Sequence, residues 1–254
     1  MGPGIIGSPD CFSALGGNQY VNSSAIGNYA DYLTLELIPF VDRQFRTRSS
    51  REHRGCFGKS SGGYGAIIHG MKYAQHWGAI ADHSGDSYFD FVYWHDWPNT
   101  LNDLARFRPV KRKPGRYDAL REGQRAHLAD GRDDGRVKRF LEHVWGAEKV
   151  SVAEGHTIMN LCMAATYDPD PKAPLGFRLP FHLETGEPIA QDWQAMRTQD
   201  PINLPATPQQ HLPPLSGLSH VSRIRPQSPL PHHPHTLSHR TTHPGHHPPI
   251  ARTA

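Results

Sequence analysis

Residues 54–65 read Arg54-Gly55-Cys56-Phe57-Gly58-Lys59-Ser60-Ser61-Gly62-Gly63-Tyr64-Gly65, two serines and five glycines in twelve positions. Two chemistries use such a loop. A phosphate-binding loop needs Gly-x-x-x-x-Gly-Lys-Ser/Thr, so that successive backbone N–H groups cradle the phosphates. Gly58-Lys59-Ser60 supplies its end, but His53 stands where the first glycine belongs and Arg54 to Phe57 read as strand. That reading fails. A nucleophile elbow needs Gly-x-Ser-x-Gly where a strand hands over to a helix, and residues 58–62 match it with Ser60 at the centre. The turn is expected to be so tight that only glycine fits two residues before and after the serine. Ser61 as nucleophile would need a glycine where Lys59 stands. The Ser61 backbone N–H would then point to where an oxyanion forms. A glycine-rich turn without chemistry competes for the same residues.

Outward from the elbow, the chain alternates strand and helix patterns. Gly4 to Gly7 is a short strand candidate, and Asn28 is placed to cap a helix whose apolar face runs through Tyr29, Tyr32, Leu33, Leu37, Phe40, Val41 and Phe45, interrupted at Pro39. Gly55 to Phe57 reads as strand and Ser61 to Met71 as helix, with Gly63 and Gly65 facing the sheet. Gly78 to Ala81 is the next strand. This order predicts a mostly parallel, doubly wound sheet. The strands at 4–7, 54–57 and 78–82 are expected side by side, with one sheet edge unpaired. Residues 133–145 and 156–167 have helical patterns, and 86–170 is read as a lid or insertion.

Composition changes near residue 203. From Pro201 onward there are 12 prolines, nine of the chain's 18 histidines and no acidic residue. Such a segment cannot bury enough apolar surface to offset the entropy of ordering it, so 204–254 is expected to be a disordered tail beyond a domain spanning 1–203. Its histidines have no carboxylate or cysteine beside them to fix a metal geometry. Four of the 27 basic residues lie there, leaving 23 against 24 acidic ones in the first 200, a net of −1. No polyanion partner follows from that balance. The basic stretch RFRPVKRKPGR at 106–116 is broken by Pro109 and Pro114 and reads as a solvated loop, not a nucleic-acid site. No run is long and apolar enough for a membrane span and no export signal is visible, which favours the cytoplasm. Cys11, Cys56 and Cys162 match neither a disulfide framework nor a zinc pattern.

PDCFSALGGNQYVNSS, NYADYLTLELIPFVDRQF, GKSSGGYGA and ADHSGD together resemble an esterase family of the α/β-hydrolase superfamily. That family includes esterase D, the enterochelin esterase-like proteins and the antigen 85 mycolyltransferases. The resemblance runs from about residue 5 to 100, with an echo in AATYDPDPKAPLGFRLPFHLETGE and DWQAMRTQDPINL. It implies a partial α/β-hydrolase fold and two-step acyl transfer on a small-molecule ester or thioester. Ser60 would be the acyl-forming nucleophile and Ser61 N–H one oxyanion donor, with neither metal nor organic cofactor. In that fold the triad acid and base follow the nucleophile on later loops, here where the Pro/His tail begins, and the second oxyanion donor would precede Met1. The expectation is an esterase domain truncated at both ends, impaired in activity, or else an inactive fragment or binding module. Asp82, Asp86 and Asp90 come too early for the triad acid, and His53, His69 and His83 read as surface or core histidines.

Overall fold

The computed structural model describes residues 4–109 and 135–204. The proposed tail from residue 205, the basic residues 110–116 and the start of the 133–145 segment lie outside the described residues. The chain first forms a two-residue antiparallel ladder, β1 (Asn22–Ser23) with β2 (Gly27–Asn28). Helix follows at once, as α1 (Tyr29–Asp31), a π-helical turn (Tyr32–Leu37) and α2 (Ile38–Gln44). Pro39, second in α2, has no N–H to donate, and the wide turn just before it absorbs the mismatch. Asn28 occupies the cap position but its side chain caps nothing. Asn22 does so from β1, accepting from Ala30 N (3.0 Å) and Asp31 N (3.1 Å).

The sheet is a parallel pair, β3 (Gly55–Lys59) and β4 (Ala79–His83), in register from Gly55↔Ala79 to Lys59↔His83. Between them runs α3 (Ser61–Lys72), the crossover that parallel strands require. Glycines let α3 approach closely. A Cβ on Gly70 would collide with Ile80, and one on Gly63 would lie 2.8 Å from Gly85 Cα, just beyond β4. This is a mixed α/β architecture with parallel strands. Residues 4–7 form no strand. They have no hydrogen-bonded neighbour among the described residues, and an isolated extended segment leaves Ile5 and Ile6 54% and 79% exposed.

Helices supply most of the core: α4 (Phe89–Val92), α5 (Trp97–Ala105), α6 (Arg136–Gly146), α7 (Val152–Tyr167) and α8 (Ala190–Arg197). α7 is buried continuously from Asn160 to Tyr167, packing its aliphatic surface into the cluster that holds Tyr64, Phe89, Trp97 and Phe140. Asp200, fully buried, accepts from Tyr88 N (2.9 Å) and Phe89 N (2.7 Å), which pins the DPINL segment to the start of α4. Burial raises its pKa above the ordinary carboxylate value. The helix at 29–44 departs from its predicted face. Only Ala30 and Thr34 are buried, Leu33, Leu37 and Val41 are half-buried, and Phe40 and Phe45 are exposed.

α7 begins four residues before its predicted start, at a capping box. Glu154 N–H donates to Ser151 Oγ (3.2 Å), and Ser151 Oγ and N–H both donate to Glu154 Oε2 (2.7 and 2.8 Å). Those bonds, with His143 Nε2 3.1 Å from Oε1, hold the Glu154 carboxyl down to about 2 against an ordinary 4.5. A carboxyl with a depressed folded-state pKa contributes stability that is complete above pH 4.5 and lost as pH falls towards 2. Melting temperature should therefore fall across that acid window, and less steeply in Glu154→Gln. Parallel pH profiles for the two proteins would remove Glu154 from the account.

Candidate active site

Ser60 sits where β3 becomes α3, with φ 55° and ψ −119°. That backbone is nearly closed to residues with a Cβ, and holding serine there costs about 1–3 kcal/mol. The surroundings impose it. Ser60 N–H is held by the His83 carbonyl of β4 (3.0 Å), and its own carbonyl accepts Tyr64 N–H (2.9 Å) to start the helix. The side chain is left exposed at the corner. Ser61 N–H belongs to the first turn of α3, whose donors have no intrahelical acceptor. Ser60→Gly relieves the strain while adding about 0.4–1 kcal/mol of unfolded-state entropy cost. The net expectation is a gain of about 1 kcal/mol, or roughly 2–4 °C in Tm. A Tm at or below wild type would mean that the serine side chain itself supports the corner.

The two glycines that flank the serine are not equivalent. A Cβ on Gly58 would lie 2.5 Å from the Gly62 carbonyl oxygen and 2.6 Å from its Cα, whereas one on Gly62 would meet nothing within 4 Å. The tight approach is of Gly58 to the Gly62 backbone, so steric exclusion of a side chain operates at Gly58 alone. Gly65 faces Tyr20, not the sheet, with a Cβ there 2.7 Å from the ring.

Among the described residues Ser60 Oγ has no hydrogen-bond partner. The side chains of His69, Asp82, Asp86 and Asp90 have partners of their own. Trp77 Nε1 donates to His69 Nδ1 (3.1 Å), leaving His69 Nε2 to donate to the Tyr20 carbonyl (2.9 Å). Burial lowers the His69 pKa and keeps the ring neutral. Asp82 Oδ1 accepts Gly85 N–H (2.8 Å) and shapes the turn after β4. Asp86 accepts from Tyr93 Oη (2.8 Å), and Asp90 from Trp193 Nε1 (2.7 Å) with Arg197 Nε 3.0 Å away. His53 lies in a short 3-10 turn (Arg51–His53) before β3. Burial pushes the Cys56 thiol up to about 12, so it is no rival nucleophile at neutral pH.

Sequence reasoning missed three further left-handed residues, Tyr20, Ser84 and Tyr88, with φ of 60°, 52° and 60°. None is a type that marks such a position, so no local signal was present. Among the described residues there is no group of three or more His, Cys, Asp or Glu placed to hold a metal ion, and no helix long and apolar enough to cross a membrane. Arg106 and Arg108, from the basic stretch, pair with Asp103 (2.7 Å) and Glu184 (3.3 Å).

A family model described as "Putative esterase" matches residues 18–156, more than half of the chain. The chain belongs to that esterase family. Two similar curated proteins are Esterase MT1326 and Esterase Rv1288, from Mycobacterium tuberculosis strains CDC 1551 / Oshkosh and H37Rv. Each is 33% identical over 90 residues, which covers 33% of this chain and 20% of the relative. The match thus spans a fifth of the length of these relatives. The strained Ser60 corner falls within the matched residues.

Proposed function

We propose that this chain carries a serine ester-hydrolase site in which Ser60 attacks the carbonyl carbon of a carboxylic ester or thioester. The Ser60 hydroxyl proton passes to a base, the leaving alcohol or thiol departs protonated, and water then releases the acid from acyl-Ser60. Ser61 N–H would donate to the oxyanion of each tetrahedral intermediate. The observation that carries this reading is the backbone of Ser60, held at φ 55° at a strand-to-helix corner with its side chain exposed. Residues 1–203 would form one partial α/β-hydrolase domain, with 86–170 inserted as a lid and the Pro/His segment as a tail.

The second reading, an inactive esterase fragment or binding module, draws on the same atom. Ser60 Oγ lacks a base among the described residues, so acylation is slow under the first reading and absent under the second. A fluorophosphonate probe separates the two. Slow, stoichiometric labelling of Ser60 over hours, absent in Ser60→Ala, supports the acyl-enzyme. A protein unlabelled after prolonged exposure is not an acyl-transfer enzyme.

A further inference from the structure

The strain at Ser60 needs a cause outside the residue, because a serine released by its surroundings would leave φ 55° for an ordinary backbone. One half of the grip is local: Tyr64 N–H holds the Ser60 carbonyl within the first turn of α3. The other half comes from β4, where the His83 carbonyl accepts Ser60 N–H at 3.0 Å. Whatever aims that carbonyl holds the corner. His83 is the last residue of β4, and its carbonyl shares one rigid peptide plane with Ser84 N–H. Ser84 is itself left-handed, with φ 52°. Both residues lie inside a turn closed by a side chain, Gly85 N–H donating to Asp82 Oδ1 at 2.8 Å. Asp and Asn close such turns because their side-chain oxygen stands in for a backbone acceptor.

Asp82 stands two residues after Ile80 and, by the alternation of a strand, turns its side chain to the same face, the one α3 covers. There its Oδ1 lies against both Gly63 and Gly85, since a Cβ on either glycine would collide with it. A Cβ on Gly85 would also lie 2.5 Å from Gly63 C and from Tyr64 N, so the closed turn rests directly on the first turn of α3. One carboxylate thus ties the end of β4 to the start of α3, across Ser60. We propose that Asp82 is the positioning residue of the Ser60 corner. By closing the turn from 82 to 85 it directs the His83 carbonyl at Ser60 N–H, and so holds the left-handed backbone that presents the hydroxyl. The acceptor oxygen does this, not the charge. Its consequence for acyl transfer rests on the reading of Ser60 as nucleophile, whereas its effect on the backbone does not.

Amide hydrogen exchange in the isotope-labelled full chain, followed by NMR, reads that backbone directly. In Asp82→Ala the Ser60 amide should exchange at least ten-fold faster than in wild type, while the amide of Leu161, buried on α7, keeps its protection. Asp82→Asn retains the acceptor and should keep Ser60 as protected as in wild type. Asp82→Leu, with the same branching and no acceptor, should behave like the alanine variant and guards against collapse of that one. Fluorophosphonate labelling of Ser60 should follow the same order, at least ten-fold slower in the alanine and leucine variants and near wild type in the asparagine variant. Unchanged Ser60 protection in Asp82→Ala and Asp82→Leu overturns the proposal. So does an asparagine variant that exchanges as fast as the alanine one, because the charge is then the agent. Equal loss of protection at Ser60 and Leu161 overturns it too, since Asp82 would then stabilise the whole domain and not the corner. A wild type that takes up no label defeats the nucleophile reading alone, and the exchange series still decides the role of Asp82.

Discussion

Wild-type chain and Ser60→Ala are expected to hydrolyse p-nitrophenyl acetate at nearly the same slow steady-state rate. A serine hydroxyl is a weak nucleophile until a positioned base takes its proton, and Ser60 Oγ has no such partner among the described residues. Of the histidines weighed in the sequence, His69 has both ring nitrogens committed, His53 lies in the turn before β3, and His83 meets Ser60 N–H through its backbone carbonyl. Loss of triad members in serine hydrolases lowers kcat by about 10⁴–10⁶. What remains falls below the background reaction of water and surface nucleophiles with so activated an ester. The comparison is made by following p-nitrophenolate release from both proteins at equal concentration. Turnover of several per second in wild type, abolished in Ser60→Ala, would establish a base reaching Ser60 from outside the described residues.

The second large effect concerns folding. Gly58→Ala should destabilise the domain by about 3 kcal/mol or more, at the upper end of overpacking costs, whereas Gly62→Ala should be near neutral or slightly stabilising. The added methyl on Gly58 would meet main-chain atoms of Gly62 at 2.5 and 2.6 Å, and no flexible side chain can move aside. Relief requires separating β3 from the first turn of α3, which breaks the corner that holds Ser60. Around Gly62 there is space, and alanine favours helix over glycine by about 1 kcal/mol. Chemical denaturation of the two variants measures this directly. Equal losses would mean that the two glycines act through the flexibility of the turn and not through the one-sided contact.

The strand-to-helix corner at Ser60 was legible in the sequence because its signals are local. Gly58, Ser60 and Gly62 at fixed spacing, an apolar pair before them and Tyr64 and Ile68 after them, define strand, corner and helix within a few turns of chain. The observed β3 and α3 extend the predicted segments by two residues and one residue. The Ser151-x-x-Glu154 box was legible too, and would have placed the start of α7 correctly.

What the sequence by itself determined is therefore the parallel strand–helix–strand unit at 55–83, the position of Ser60 within it and the family resemblance. Only the tertiary structure decided the rest, because it depends on partners distant in the chain. Gly4 to Gly7 has strand composition, but a strand exists only with a neighbour to accept its hydrogen bonds, and none of the described residues provides one. Asn28 and Asn22 are the same residue type six positions apart, and the β1–β2 turn decides that Asn22 caps the helix. The backbone strain at Ser60 likewise comes from both sides of the corner, since the His83 carbonyl grips its N–H from β4 while α3 fixes its carbonyl. Local pattern chooses the kind of element, whereas pairing, capping and strain are settled by whichever long-range groups the fold brings within hydrogen-bond reach.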